Sequence, residues 1–225
     1  MDYNLLKNNR VNIAGEVISE LEFSHETYGE KFFDLKLKVS RLSDIYDIIP
    51  VTISERLLLD NEIKVGSKIA GSGQFRSYNK LEDGKSKLML TVFLRELYPY
   101  SESDNPNSIE IVGFVCKEPV FRTTPFKREI ADVLLAVNRS YNKSDYLPCI
   151  AWGRNARFVK NFAIGDKVSV SGRIQSREYQ KKIGDDIIIK TAYEVSLSRV
   201  EIVKEDLEID TVLTSVGVLE NYYVR

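Results

Sequence analysis

The sequence predicts an all-β protein that contains two tandem copies of one strand-rich unit. Short stretches alternate apolar with polar residues, which is the period of a half-buried strand, and Gly, Asn and Asp punctuate them as turns. Residues 9–56 match residues 107–154 without a gap, with 13 identities in 48 positions against roughly three expected by chance. The register then slips by one residue, so that Gly73 corresponds to Gly172. These matches indicate an internal duplication.

The alternation places five strands in the first copy, at 11–17, 32–39, 48–53, 68–75 and 88–94. A short helix is predicted at 56–59, between strands 3 and 4, and its counterpart in the second copy at 156–162. Five strands with a helix after the third is the order of the OB-fold, a partly open barrel whose face and loops bind oligonucleotides. Glycines inside the strands fit barrel bends or bulges. We therefore predict two tandem OB-fold five-stranded barrels.

The duplication also sets the expected domain boundaries. The first domain spans 1–101, a linker spans 102–106 within the polar run SESDNPN, and the second domain spans 107–225. Asp-Gly and Gly-Asp signals predict turns between strands four and five, in the segments 81–86 and 181–186. The C-terminal extension from 204 begins with an acidic cluster and continues with apolar residues, which predicts a final helix or strand packed on the barrel.

Composition excludes several classes of protein. Hydrophobic residues make up 43% of the 225 residues, which supports a buried core, but no apolar run approaches the ~20 residues that span a bilayer. The first residues lack the regions of a signal peptide, so we expect a cytoplasmic protein. Cys116 and Cys149 lie in strand-like apolar surroundings, where a free thiol packs as a small core residue. His25 is the single histidine, so we expect no metal or cofactor.

Catalysis finds little support in the sequence. It has neither a phosphate-cradling loop of the GxxxxGK[ST] type nor a serine–histidine constellation. Asp34 and Asp132 recur at equivalent strand positions, but no histidine, cysteine or metal-ligand cluster accompanies them. We predict that the protein is not an enzyme.

Charge distinguishes the two copies. Residues 1–106 carry 14 basic and 17 acidic side chains, a net of −3, whereas residues 107–203 carry 16 and 11, a net of +5. The remaining residues carry a net of −3, which hides the basic module within an overall charge of −1. Because phosphate binding depends on local cations, the second copy is the better candidate for binding nucleic acid.

The stretch 134–154, LLAVNRSYNKSDYLPCIAWGR, concentrates the residues that point to such binding. It reads as two strands joined by a polar turn, with three aromatic residues interleaved with Arg139, Lys143 and Arg154. Aromatic faces stack on unpaired bases while cations follow the phosphates, so this hairpin suggests a platform for single-stranded nucleic acid. The alternative is that the aromatic residues fill a core, as they do in most sheets.

Ordered segments of the second copy resemble the bacterial single-stranded DNA-binding protein family. They are IEIVG at 109–113, EPVFR at 118–122, LAVNRSY, AWGR, GDKVSVSGR at 165–173 and QSREY at 175–179. The resemblance covers about 107–203 and implies an OB-fold that binds single-stranded DNA. Four aromatic positions carry base stacking in that family, and in this sequence they fall on Tyr141, Tyr146, Trp152 and Tyr179.

The resemblance also implies where the sugar-phosphate backbone of bound DNA lies. We expect phosphates close to four arginines, and contacts from two lysines in the hairpin between strands four and five; the six residues are Arg139, Arg154, Arg173, Arg177, Lys181 and Lys182. The first copy has Ser43, Ile48 and Ser54 at three of the four aromatic positions, and we match its Tyr78 to the fourth, with Tyr46 as a possible substitute nearby. We expect the first copy to be chiefly a structural or assembly partner.

Family members with one copy per chain form tetramers and members with two copies form dimers, so the resemblance implies a homodimer with four OB units. A compact monomer whose copies pack on each other is the alternative.

The implied function is sequence-independent binding of single-stranded DNA in replication, recombination or repair, in association with the nucleoid. A primosome-accessory or scaffolding protein that acts through replication or repair proteins, or a binder of single-stranded RNA, remains open. The chain lacks the acidic C-terminal tip of the usual replication members, which argues against a role as the main genome-coating protein.

Overall fold

The computed structural model describes residues 8–41, 43–82, 84–102, 105–183 and 186–204, with the backbone alone for 82, 85, 181–183 and 186. Part of the predicted linker and the C-terminal extension from 205 lie outside the described residues. The first copy contains β1 (Asn9–Val17), β2 (Glu22–Thr27), β3 (Glu30–Ser40), β4 (Tyr46–Ser54), α1 (Glu55–Leu59), β5 (Lys68–Glu82) and β6 (Lys85–Tyr98). The second contains β7 (Asn107–Val115), β8 (Val120–Thr123), β9 (Glu129–Arg139), β10 (Lys143–Trp152), α2 (Arg154–Val159), β11 (Lys167–Ile183) and β12 (Asp186–Ile202).

Strand pairing within each copy follows the OB-fold order. The first copy pairs in the order β3-β4-β6-β5-β1, with a further contact between β1 and β3, and the second repeats this as β9-β10-β12-β11-β7 with a contact between β7 and β9. β4 pairs with β6 in parallel, as β10 does with β12, and the other strand pairs are antiparallel. The prediction of an all-β protein with two OB-fold units is confirmed.

The alternation of the strands explains the core. On β9 the residues from Ala131 to Val137 are buried at every second position, and β4 buries Ile49, Val51 and Ile53 completely. Each such side chain contributes about 1.5–3 kcal/mol relative to an exposed one. Buried apolar residues of both copies belong to one continuous cluster, so the hydrophobic core extends from one unit into the other.

Two hairpin strands, β2 and β8, were not predicted. β2 carries no buried residue and β8 only a half-buried phenylalanine, so neither shows the apolar alternation on which the strand prediction rests. Backbone pairing of β2 with β3 and of β8 with β9 makes these segments strands instead. Tyr28 and Gly29 join β2 to β3 with positive φ angles, which is the geometry of a two-residue hairpin turn.

The two helices differ from their predicted bounds by small steps. α1 begins one residue early because the hydroxyl of Ser54 accepts a hydrogen bond from the Arg56 backbone and caps the helix. α2 begins at Arg154 and ends at Val159, whereas the prediction was 156–162. Neither helix of the described residues has the length and apolar character needed to cross a membrane.

Gly73 and Gly172 mark equivalent β-bulges, as their position inside long strands predicted. The register of β5 on β6 shifts between Ser72 and Gly73, and that of β11 on β12 shifts between Ser171 and Gly172. A Cβ at either glycine would lie 2.1 Å from a backbone carbonyl oxygen of the neighbouring strand. Only glycine allows the two backbones to approach this closely.

The two copies join into one twelve-stranded sheet because β1 pairs antiparallel with β7. Val11 lies opposite Ile109, which is its own equivalent in the second copy, and the pairs on either side are related in the same way. The junction is therefore a local pseudo-two-fold axis, like the interface between identical subunits but built within one chain.

Candidate nucleic-acid interface

The outward face of β10 carries Tyr146 and Trp152. Because side chains alternate across a strand, these two share a face, while Leu147, Cys149 and Ala151 point to the core and are buried. Tyr146 is 47% exposed and Trp152 is 39% exposed. They are six residues apart, which corresponds to about 20 Å along an extended strand.

The register of the sheet adds Tyr179 and Arg177 to this face. Ile150, on the Tyr146 side of β10, pairs with Ser196 of β12, and Ser196 pairs with Arg173 of β11. Residues 175, 177 and 179 alternate from Arg173 without a further bulge, so they lie on the same side of the sheet. Three of the four predicted aromatic residues therefore share one exposed face of the second copy, which we call the second-copy face.

Trp152 is held in place by a hydrogen bond while its ring stays accessible. Its indole Nε1 donates to the hydroxyl of Ser196 at 3.2 Å. Trp152 precedes Gly153, the N-cap residue of α2, whose φ of +52° favours glycine. A half-exposed ring fixed at one edge is suited to stacking on a planar base.

Tyr141 lies apart from the other three aromatic residues. It sits in the short turn Ser140–Asn142 between β9 and β10, with a left-handed backbone (φ 62°, ψ 37°) and 87% of its surface exposed. This conformation is unfavourable for a bulky residue by about 1–2 kcal/mol. Tyr141 lines a cavity together with Gln74 and Arg76 of the first copy, so the hairpin tip reaches across the junction.

Most of the predicted phosphate-binding arginines are already paired with carboxylates. Arg139 donates to Asp145 at 3.2 Å, Arg173 to Asp47 at 3.2 Å, and Arg177 to Glu194 at 3.4 Å. Arg154, at the start of α2, is exposed and makes no ion pair with any other residue that the structure describes. The side chains of Lys181 and Lys182 lie outside the described part of the chain.

Asp47 and Asp145, equivalent in the duplication, link the two copies. Asp145 is 1% exposed and accepts a hydrogen bond from the Ser77 backbone at 2.7 Å; Asp47 is fully buried and accepts from the Ser176 backbone at 2.7 Å. Burial raises the pKa of Asp145 above its usual range, although the Ser77 amide and Arg139 partly oppose this. Both aspartates were matched in the duplication, but their roles at the junction depend on contacts that the sequence pattern does not reveal.

The equivalent face of the first copy is built differently. Ile48 and Ser54 occupy the positions of Tyr146 and Trp152, and Ser54 is buried as the cap of α1. Our match of Tyr78 to Tyr179 is wrong: Tyr78 pairs with Met89 of β6, which is the place that Arg177 takes on β12. Because the bulge shifts the correspondence between the copies by one residue, Lys80 is the residue equivalent to Tyr179. Both tyrosines of the first copy are nevertheless exposed, Tyr78 by 44% and Tyr46 by 49%.

Three side chains at the junction were missed by sequence reasoning, namely Gln74, Arg76 and Arg95. Gln74 Oε1 accepts hydrogen bonds from both arginines at 3.0 Å. A signal was present, because aligning the copies at the bulge sets Arg76 against Gln175 and Arg95 against Ser198. Positions where a duplicated sequence gains a cation are candidates for function that belongs to one copy alone.

Comparison with known proteins decides the family. A model of the single-strand binding protein family matches residues 106–203. Single-stranded DNA-binding protein B of Bacillus subtilis is 36% identical over 90 residues, which are 37% of this chain and 80% of that protein. The chain belongs to the single-strand binding protein family.

A second relative and a solved structure are also similar to this chain. Single-stranded DNA-binding protein A of Bacillus subtilis is 33% identical over 90 residues, 37% of this chain and 52% of that protein, so this family member spans about half the length of that relative. The wild-type single-stranded DNA binding protein from Thermus aquaticus has a TM-score of 0.70 at 19% identity, covering 88% of this chain and 93% of that one. This likeness concerns the fold and extends over both OB-fold units.

Proposed function

We propose that this protein binds single-stranded DNA without sequence preference, mainly on the second-copy face. The observation that carries the proposal is the placement of Tyr146, Trp152 and Tyr179 on one exposed face, in the copy with a net charge of +5. Each stacked base contributes about 1–3 kcal/mol irrespective of its identity. Membership of the single-strand binding protein family supports the same ligand.

Cations would follow the backbone of the bound strand. Arg154 is the freest of the predicted arginines, whereas Arg173 and Arg177 each share a carboxylate that lowers their attraction for phosphate. We include Lys181 and Lys182 as phosphate contacts in the hairpin between β11 and β12. The first copy has Ile48, Ser54 and Lys80 at the positions equivalent to the three aromatic residues, and it serves mainly to build the assembly.

We further propose a homodimer that presents four OB units and acts in replication, recombination or repair in the cytoplasm, close to the nucleoid. Light scattering on the purified protein should give twice the chain mass of 25.8 kDa. A mass of one chain would overturn the homodimer without affecting the DNA-binding proposal.

The first experiment is a titration with oligo-dT of increasing length, following the fluorescence of the single tryptophan, Trp152. Strong quenching that weakens as salt is raised is the expected result, because stacking quenches the indole and phosphate contacts release counterions. Binding without quenching would move the DNA away from the second-copy face. Absence of binding at low salt would overturn the proposed function.

A further inference from the structure

A cavity of about 370 Å³ opens where the two copies meet, within the range of about 300–1,000 Å³ typical of small-ligand sites. The first copy contributes Gln74, Arg76 and Arg95, and the second contributes Arg139, Tyr141 and Asp145. The site therefore exists only because β1 pairs with β7 and brings the copies together.

The charge of this cavity is strongly unbalanced. Its described lining contains four cationic side chains, Arg76, Arg95, Arg139 and Lys143, and a single carboxylate, Asp145. Burial, followed by the nearby charges of Arg139 and Arg95, lowers the pKa of Arg76 to about 10. The three guanidinium groups thus repel one another in a partly desolvated space, an arrangement that an anion would stabilise.

Two buried polar atoms at the cavity have no hydrogen-bond partner among the described residues, the donor Arg76 Nε and the acceptor Asp145 Oδ2. Nη2 of Arg76 and Nη2 of Arg95 both donate to the side-chain oxygen of Gln74. The guanidinium group of Arg76 stacks on the Phe93 ring, with its central carbon 3.9 Å from the centre of the ring. A fixed guanidinium with an unused donor is suited to binding the oxygens of a phosphate group.

The pseudo-two-fold axis supplies an internal comparison. The equivalent cavity on the other side is lined by Arg41 and Arg173, and both pair with Asp47, the former through two hydrogen bonds of 2.6 and 2.7 Å. Ser198 replaces Arg95 there, and Glu102, which lies at the rim, pairs with Lys68. The positive charge there is therefore compensated, so the excess on the first side is a property of that side alone.

We propose that the cavity between the copies binds a phosphate group of single-stranded DNA, with Arg76, Arg95 and Arg139 as its ligands. Tyr141, exposed at the same cavity, then stacks on the adjoining base. The first copy thereby contributes cations to the DNA path although it lacks the aromatic residues. The DNA part of this inference rests on the proposed function, whereas the affinity for a phosphate group does not.

The test compares Arg95→Gln with Arg199→Gln. Arg95 is exposed at the cavity, so its loss should not prevent folding; Arg199 is an exposed arginine of β12 that lines neither cavity and pairs with Glu201. Binding of labelled oligo-dT is measured over a range of salt concentrations by fluorescence anisotropy. We expect R95Q to reduce the slope of log Kd against log salt by about 0.7, the value of one phosphate contact on a single strand, and R199Q to leave it unchanged.

A second measurement follows the Arg76 Nε–H signal by NMR, assigned through its loss in Arg76→Lys, during titration with oligo-dT and, separately, with inorganic phosphate. A shift with oligo-dT together with the R95Q effect supports the proposal. If oligo-dT binds and quenches Trp152 but either result is missing, the cavity is not on the DNA path and the proposed function stands. If oligo-dT does not bind at all, a shift with inorganic phosphate assigns the cavity to a free phosphate group, and no shift overturns the phosphate site as well.

Discussion

Replacing Tyr146 and Trp152 together by alanine tests the second-copy face most directly. Both rings lie on the outward side of β10, and neither belongs to the buried core. The double variant should therefore fold, with a loss limited to the half-buried part of each ring and to the hydrogen bond from Trp152 to Ser196. Thermal melting followed by circular dichroism checks this.

The expected loss of affinity follows from the exposure of the two rings. An alanine substitution at a stacking residue costs about 1–3 kcal/mol per base. Because the rings are only 47% and 39% exposed, each has part of its surface against the protein, so we expect about 2–4 kcal/mol for the pair. This corresponds to an increase in Kd of roughly 30- to 700-fold, at 1.4 kcal/mol for each factor of ten.

The assay is anisotropy of labelled oligo-dT at fixed salt, since the variant has lost its fluorophore. The matched comparison is Tyr46→Ala with Tyr78→Ala, two residues of the first copy with similar exposure of 49% and 44%. We expect a much smaller loss for that pair. Near-native affinity in the Tyr146 and Trp152 variant, or an equal loss in both variants, would refute the assignment of stacking to the second copy.

Three further predictions concern the junction and the core. Asp47→Asn should destabilise the fold by about 3–5 kcal/mol in urea unfolding, since it leaves two arginines without their buried carboxylate; Asp132→Asn, at an exposed pair, should change it by less than about 1 kcal/mol. Burial raises the pKa of Asp145 in the folded state above its ordinary value of 3.8, so the folded state binds the proton more tightly than the unfolded state does. The free energy of unfolding should therefore fall as the pH rises above 3.8. If the free energy of unfolding of the wild type and that of Asp145→Asn changed in parallel with pH, this prediction would be contradicted. Burial raises the pKa of both thiols, but Cys149 is buried whereas Cys116 is only partly buried, so a thiol reagent at neutral pH should modify Cys116 first. Mass spectrometry showing the reverse order would mean that the core opens.

Local pattern was sufficient for much of the fold. Apolar alternation located the five principal strands of each copy, and the glycines inside β5 and β11 located the bulges, because both signals arise from the geometry of a single strand. The same reasoning missed β2 and β8, whose exposed residues have no buried face to produce a period. It also mismatched Tyr78, since a bulge shifts every later residue by one position.

The duplication, the all-β class and the aromatic positions of the second copy follow from identities and periodicities along the chain. How the two copies meet depends instead on contacts between residues far apart in the chain. The bond from the Ser176 backbone to Asp47 joins residues 129 positions apart, and that from Ser77 to Asp145 joins residues 68 apart. Such contacts depend on the pairing of β1 with β7, which no local period encodes. The same pairing placed Tyr141 beside Arg76 and created the basic cavity.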